Sequence, residues 1–301
     1  GKQRSGKVSE PRAAVIAVAS GKGGTGKTTV AAHLALACSR SHKTLLVDLD
    51  VEAPDIIGYF PKAKLMEEAK PVKVPIPSII PERCTGCGIC AKACRFGAIV
   101  ALGGVVTISS ELCKGCGRCV SVCPASALGE IETTVGRTSS FMTGELHLLE
   151  GRMDVGDIRS TAVIEVVKRR ASAYKAAIQI RDCPPGVSCP ATHSIEGADY
   201  VILVAEPTAF SLHDLNAAIR LTKSRGIPTG VVINKDGFGS ADIAGFCVDK
   251  SIPVIGRIAF LRSRAESGAS AALWSGDVPF MHEMDTIVAT VLESVSRRAS
   301  A

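Results

Sequence analysis

AAVIAVASGKGGTGKTT, residues 13–29, opens as a short apolar, partly β-branched run and breaks at Ser20 into glycines that end in Lys-Thr-Thr. A buried parallel strand running into a loop has this pattern. Gly21-Lys22-Gly23-Gly24-Thr25-Gly26-Lys27-Thr28 satisfies G-x-x-x-x-G-K-[ST], with a strand before it and a helical pattern after it, which is the setting the motif requires. Glycines let successive backbone N–H groups turn toward one anion, and the helix starting near Lys27 adds the positive end of its dipole. In this motif Lys27 reaches the β and γ phosphates and Thr28 places its hydroxyl on Mg²⁺, while Thr29 is positioned to donate to an inner phosphate. A glycine-rich turn with a solvated lysine is the alternative, and it leaves the Lys-Thr-Thr order unexplained.

Downstream, residues 28–40 carry Val30, Leu34 and Leu36 among alanines and read as a helix, and TLLVDLD at 44–50 reads as a second buried strand. The opening is therefore a βαβ unit. Prolines at 71, 75, 77 and 81 forbid a helix over residues 72–80 and mark a boundary. Beyond it, RCTGCGICAKACRFGAI from Arg83 aligns with LCKGCGRCVSVCPASAL from Leu112, two tandem copies of one small unit. After about Gly136 the α/β alternation resumes. Residues 160–170 and 212–224 read as helices, 176–182, 200–205, 230–234 and 252–255 as strands, and about 284–295 as a closing helix. Strands separated by crossover helices imply an α/β fold with a mostly parallel sheet covered on both faces, interrupted by the cysteine-rich unit. The expected division is 13–76 with 137–301 as one domain, 77–136 as an inserted one, and 1–12, polar and without apolar periodicity, as a mobile tail or expression remnant.

Composition narrows the function. The chain has 301 residues, 46% hydrophobic and 21% charged, and no apolar run approaches the roughly 18 to 20 residues of a membrane span. A span and a disordered chain are both excluded. The net charge of +6 is half supplied by the first dozen residues, and aromatics make up only 4%, so nucleic-acid binding is poorly supported. Eight of the 12 cysteines fall between Cys84 and Cys123 with regular spacing, and no secretory signal is visible. Metal ligation in a cytoplasmic protein is the better reading than disulfides.

The loop KGGTGKTT, with its second lysine at Lys22, resembles the deviant Walker A motif of the MinD/ParA/Mrp class of P-loop ATPases (the SIMIBI type), which includes the nitrogenase iron protein. The resemblance implies ATP with Mg²⁺, and a nucleotide-sandwich homodimer or related heterodimer in which Lys22 touches the partner's ATP. LVDLD at 46–50 is similar to the first switch of the class, which implies that Asp50 orients the attacking water, with Asp48 as the fallback. RDCPPG at 181–186 resembles the Walker B and second-switch segment. It implies that Asp182 holds the magnesium shell and that the Gly186 amide senses the γ-phosphate. Arg181 and Gln179 depart from the apolar residues usual there. VVINKDG at 231–237 is similar to the strand end whose asparagine, here Asn234, reads adenine. A plain strand-terminating turn is the alternative for Asn234.

Cys84, Cys87, Cys90 and Cys94 form C-x₂-C-x₂-C-x₃-C, and Cys113, Cys116, Cys119 and Cys123 repeat it, with Pro124 following. This is the bacterial ferredoxin run, in which the fourth cysteine of each run ligates the other cluster. The expected sets are Cys84, Cys87, Cys90 with Cys123, and Cys113, Cys116, Cys119 with Cys94, each on a [4Fe-4S] cluster. Zinc also binds C-x₂-C pairs, and the tandem third and fourth cysteines argue against it. Arg95 stands where proline often follows the fourth cysteine, and a cation there would favour the reduced state.

From about residue 13 the chain thus resembles MinD-superfamily ATPases with an inserted α+β bacterial ferredoxin-like domain, as EPTAFSLHDL, GIPTGVVINKDG and SIPVIGRIAF also fit. The resemblance implies an ATPase that couples nucleotide state to its clusters, for electron delivery or for metallocofactor assembly on a partner protein. A MinD- or ParA-type positioning ATPase with the ferredoxin unit as redox sensor or partner-binding module is the alternative, and a passive ferredoxin carrier is a third. Cys183 and Cys189 read as buried or tuned thiols, Cys38 and Cys247 as core cysteines, and the scattered histidines as structural or surface residues. The apolar face Ile287, Val288, Val291, Leu292 and Val295 of the last helix is expected to pack on the sheet.

Overall fold

β1 (Ala14–Ala19), α1 (Lys27–Ser39) and β2 (Thr44–Asp48) form the opening βαβ unit. Every residue of β2 and all but the first of β1 are buried, so neither strand shows polar alternation. The structure, a computed structural model, describes residues 12–264, 273 and 275–299. The expected tail at 1–12 lies, Arg12 apart, outside the described residues.

The other strands are β3 (Lys64–Ile79), β4 (Ile99–Leu102), β5 (Val105–Ile108), β6 (Leu128–Thr143), β7 (Leu146–Met153), β8 (Ile178–Asp182), β9 (Tyr200–Ala205), β10 (Thr229–Asp236) and β11 (Val254–Ala259). Nine of them make one sheet in the order β11-β10-β9-β1-β8-β2-β7-β6-β3. From β11 to β7 every pairing is parallel, and β6 and β3 are added antiparallel at the edge. Residues 72–80, expected only as a non-helical boundary, belong to edge strand β3. Val72, Val74 and Ile76 are buried while Lys73 and Pro75 are exposed, the period of two of a one-sided strand. Pro71, Pro75 and Pro77 are tolerated because an edge strand leaves half of its backbone without a ladder.

β3 and β6 run together from the pair Lys64–Met142 to the pair Ile79–Leu128, so they pass through the expected insertion limits at 77 and 136 as one ribbon. At its end sits the cysteine-rich module, with α2 (Ile89–Ala93), the β4–β5 hairpin and α3 (Arg118–Ser121) around a small core of Cys90, Ile99, Cys119 and Leu128.

Helices cover both faces of the sheet. α1 and the closing helix α8 (Val278–Ala299) pack over Ile16, Val18, Ile180 and Ile202. Ile287 and Val291 are buried there with Val288, Leu292 and Val295 beside them, so the apolar stripe of this helix does pack on the sheet, and Phe280, Met281 and Met284 extend it. On the other face α6 (Ala209–Ser224) and α7 (Ile243–Asp249) cover Ala17, Val201, Leu203 and Val231, and α4 (Ser160–Ser172) covers Leu45, Val47 and Leu149. α5 (Cys189–Ile195) follows the loop after β8. Among the described residues no helix is long and apolar enough to cross a membrane.

Candidate functional site

The phosphate loop leaves β1 and enters α1 through Gly24 and Gly26, both left-handed at φ 79° and 86°. Gly26 has a second constraint, since a Cβ there would lie 2.2 Å from Asn234 Nδ2. That amide donates to Thr25 O at 2.7 Å, so the strand-end asparagine braces the loop from behind. Gly21 is needed for close approach, because a Cβ would strike the Asp214 carbonyl in α6. Lys27, at the start of α1, is 7% exposed and makes an ion pair and hydrogen bond with Asp182 at the end of β8.

Around that one ammonium stand four carboxylates. Burial by itself would lower the Lys27 ammonium, but Asp182, with Asp50 and Asp48 behind it, outweighs burial and holds it above the usual lysine range. Asp48 is fully buried and accepts three backbone N–H groups, from Asp50 at 3.0 Å and from Asp55 and Ile56 at 3.1 Å each. It shapes the turn after β2 and has no open face toward the loop. Burial and the neighbouring Asp182 push its carboxyl well above the usual carboxylate range.

Asp50, in contrast, lines one open cavity with Ser20, Lys22, Gly23, Lys27 and Thr28, and Asp55 and Tyr59 share the same wall. Burial raises the Asp50 carboxyl to about 6 against the opposing pull of Lys27. The Asp182 Oδ2 is buried and, among the described residues, has no hydrogen-bond partner. An orphaned carboxylate oxygen, the Thr28 hydroxyl nearby and an excess of carboxylates fit a hydrated divalent cation, which a polyphosphate would need in order to settle here.

Lys22 pairs with Glu206 at 2.5 Å, and Lys235 binds the same carboxylate at 2.9 Å while also donating to Gly24 O at 2.9 Å. Although burial would raise Glu206, the two lysines hold it below the usual range. The Gly186 amide, left-handed at φ 88°, donates to Ser20 O at 2.8 Å, and the Thr29 hydroxyl meets the Tyr59 hydroxyl at 2.7 Å. On the far side of Asn234 a second cavity is walled by Thr29, Lys235, Ile258, Phe260 and Arg264. Its apolar wall and polar rim suit a flat heterocycle.

The eight clustered cysteines divide between two places. Cys84, Cys87 and Cys90 line one cavity together with Cys123, the last residue of the other run. Cys94 packs against Cys113 beside Ile76 and Ala98, and Cys119 lies within electrostatic reach of Cys113 and Cys116. Gly86, Gly88, Gly115 and Gly117 repeat one left-handed conformation, φ 67° to 71°, so the two copies share backbone as well as sequence. Amides of Gly115 and Ala127 point at Cys113 and Cys123 sulfurs, at 3.4 and 3.3 Å. Among the described residues no three cysteine sulfurs lie within 4.8 Å of one another.

Arg159, at the N-cap of α4, ties this module to the rest of the chain. Its guanidinium is almost fully buried and donates to Cys113 O at 2.7 Å, to Ser110 O and to Asp157 at 2.6 Å. Farther along α4, Lys168 donates to His193 O of α5 at 2.6 Å, and His193 meets Glu165 at 3.1 Å. Arg159→Met removes a buried cation and strands two carbonyls and a carboxylate, so unfolding free energy is expected to fall by about 3 kcal/mol. Denaturant unfolding measures this, and a loss under about 0.5 kcal/mol would mean the module is held elsewhere.

Sequence reading missed Asp55, Tyr59, Glu206 and Lys235: the first two follow β2 in a segment with no motif of its own, and the other two stand in EPTAFSLHDL and VVINKDG, whose resemblance assigns them no partner. Arg181, noted only as unusual, is buried and donates to Ser194 O and Glu196 O at the end of α5. Cys183 is buried, which pushes its thiol up to about 12, whereas Cys189 is exposed. Cys38, Cys247 and His33 are buried core residues.

The profile of the CobQ/CobB/MinD/ParA nucleotide binding domain matches residues 16–261. The chain is 32% identical over 240 residues to an uncharacterised protein of Methanocaldococcus jannaschii, covering 79% of this chain and 83% of that one. An uncharacterised ATP-binding protein of the same organism is 25% identical over 290 residues, covering 93% and 88%. Among solved structures, the septum site-determining protein MinD of Pyrococcus horikoshii, complexed with Mg-ADP, has a TM-score of 0.57 at 17% identity over 93% of this chain and 96% of that one, a likeness of fold.

Proposed function

Since this chain belongs to the CobQ/CobB/MinD/ParA nucleotide-binding family, we propose that it is an ATP-hydrolysing iron-sulfur protein that couples nucleotide state to two [4Fe-4S] clusters, for electron delivery or metallocofactor assembly on a partner. The observation that supports this most is the gathering of Cys123 with Cys84, Cys87 and Cys90 around one cavity, which joins the two runs crosswise. The second set is Cys113, Cys116, Cys119 and Cys94. When bound, such clusters supply one-electron transfer.

The chain's own residues perform the nucleotide chemistry. Amides of residues 21–29 surround the phosphates, and Lys27 exchanges its contact with Asp182 for the β and γ phosphates. Thr28 and Asp182 would hold Mg²⁺, which would supply charge to the phosphates. Asp50, ionised, accepts a proton-bearing hydrogen bond from the attacking water and aligns it with the γ-phosphorus. Lys22 leaves Glu206 to reach the ATP of a second copy, Gly186 leaves Ser20 to meet the γ-phosphate, and Asn234 with its cavity takes the base. The loop at 183–188 feeds α5, α5 is joined to α4 by Lys168 and His193, and α4 begins at Arg159 on Cys113. Loss of the γ-phosphate releases the loop at one end of that chain of contacts.

An anaerobic EPR redox titration with and without Mg-ATP tests the reading. About eight irons per chain are expected, and a shift of about 60 mV per one-electron step would be a tenfold effect, about 1.4 kcal/mol of coupling. Absence of iron and sulfide after anaerobic reconstitution would sink the cysteine reading. Iron without any nucleotide-dependent shift would favour a second reading, which the fold shared with MinD motivates: a positioning ATPase that binds a surface only with ATP.

A further inference from the structure

We propose that the face of the cysteine module around Cys87 docks an acidic electron-carrier protein. The proposal rests on the reading of the eight cysteines as cluster ligands and adds which set meets the carrier and what chemistry the carrier presents.

The two copies of the repeat are alike in backbone and unlike in surroundings. The second copy is seated on the body of the protein. Arg159 donates to Cys113 O, Lys114 Nζ reaches Ile158 O at 2.5 Å, and a Cβ on Gly115 would lie 2.2 Å from Val74 of β3. The first copy packs on its own hairpin instead, where a Cβ on Gly86 would strike Gly104 O. Its Cys87 is exposed, as is Cys116 at the same place in the second copy, so what sets the copies apart is what surrounds them.

Charge differs between the copies in kind and place, the second carrying Lys114 and Arg118 where the first has Thr85 and Ile89. Arg83, Lys92 and Arg95 occupy the positions that Leu112, Ser121 and Pro124 hold in the second copy. All three are exposed, and among the described residues none has an ion-pair partner. Glu82 is the one acidic residue from 80 to 110. Beside these cations in sequence stand Ile89 and Phe96, 41% and 45% exposed. An apolar centre within a charged rim is the anatomy of a transient interface, and an unpaired basic rim selects and steers an acidic partner. Exchange there moves one electron from the reduced carrier to the centre held by Cys84, Cys87, Cys90 and Cys123, oxidising the carrier by one and reducing the protein by one.

A plant-type [2Fe-2S] ferredoxin, an acidic protein, serves as probe. Its binding to the anaerobically purified full chain is measured by calorimetry, with iron and sulfide assayed on the same samples. The expected result is a complex whose Kd weakens about tenfold or more in the triple variant Arg83→Glu, Lys92→Glu, Arg95→Glu, and also when salt is raised from about 0.05 to about 0.5 M. A control triple at exposed cations elsewhere, Lys43→Glu, Lys62→Glu, Arg220→Glu, should stay within about twofold. Equal loss in both triples, or no complex at low salt with iron and sulfide intact, overturns the docking face alone. A chain lacking iron and sulfide overturns the cysteine reading and the docking face with it.

Discussion

Lys27→Ala is expected to lower ATP turnover about a thousandfold, the scale seen when a preorganised charge on a transferring phosphoryl group is removed. The same change acts on the protein without nucleotide. Lys27 is the cation among Asp48, Asp50, Asp55 and Asp182, and its partner Asp182 already has one buried oxygen with no hydrogen bond among the described residues. Without the ammonium these carboxylates are buried against one another, and about 3 kcal/mol of stability should be lost near neutral pH. The sign with pH follows. In the variant the folded-state carboxyls bind protons that the unfolded chain has already released above about pH 4, so stability falls as pH rises and the loss is larger near pH 8 than near pH 5. Adding Asp182→Asn should recover most of it. Single-turnover hydrolysis and denaturant unfolding at the two pH values measure both parts. Turnover within tenfold of the parent would remove the phosphoryl-transfer role from Lys27.

Asp50→Asn should leave ATP affinity within a few-fold and cut hydrolysis by about a hundredfold or more, trapping bound ATP. Asp50 rather than Asp48 is the subject because Asp48 spends its oxygens on three backbone amides, while Asp50 faces the loop cavity. Burial raises Asp50 to about 6, against the pull of Lys27. Ordering of water requires the ionised form, so kcat/KM should climb as pH rises through about 6 and level off above it, the free-enzyme acid limb. In the asparagine variant that limb should vanish along with the rate. A limb that persists unchanged would assign the ionisation to another group, with Asp55, also raised by burial, the next to substitute.

Much of this site is visible in one dimension. The phosphate loop is a run of adjacent residues whose backbone conformations are set locally, so Gly24, Gly26 and Lys27 can be named before any fold is known. The same holds for the cysteine runs, because a short spacing and an αL glycine are properties of a few consecutive residues. β1, β2 and β9 announce themselves as unbroken apolar runs since parallel strands are covered on both faces. β3 does not, because an edge strand rich in prolines and lysines carries only the weak alternation of Val72, Val74 and Ile76. β6 and β7 also went unread for want of a strong apolar run.

Folding supplies the distinctions that local pattern leaves open. Asp48 and Asp50 are equivalent in LVDLD until the turn delivers the amides of Asp55 and Ile56 to one of them. Lys22 and Glu206 meet only because β1 and β9 are sheet neighbours, and Lys27 meets Asp182 across 155 residues because β1 pairs with β8. Arg159 gains its role from the ribbon that returns Cys113 to the start of α4. Composition and spacing can specify which groups a chain possesses and how its backbone bends at each. Which charges neutralise one another depends on distance through space, and burial then multiplies the strength of whatever pairs result.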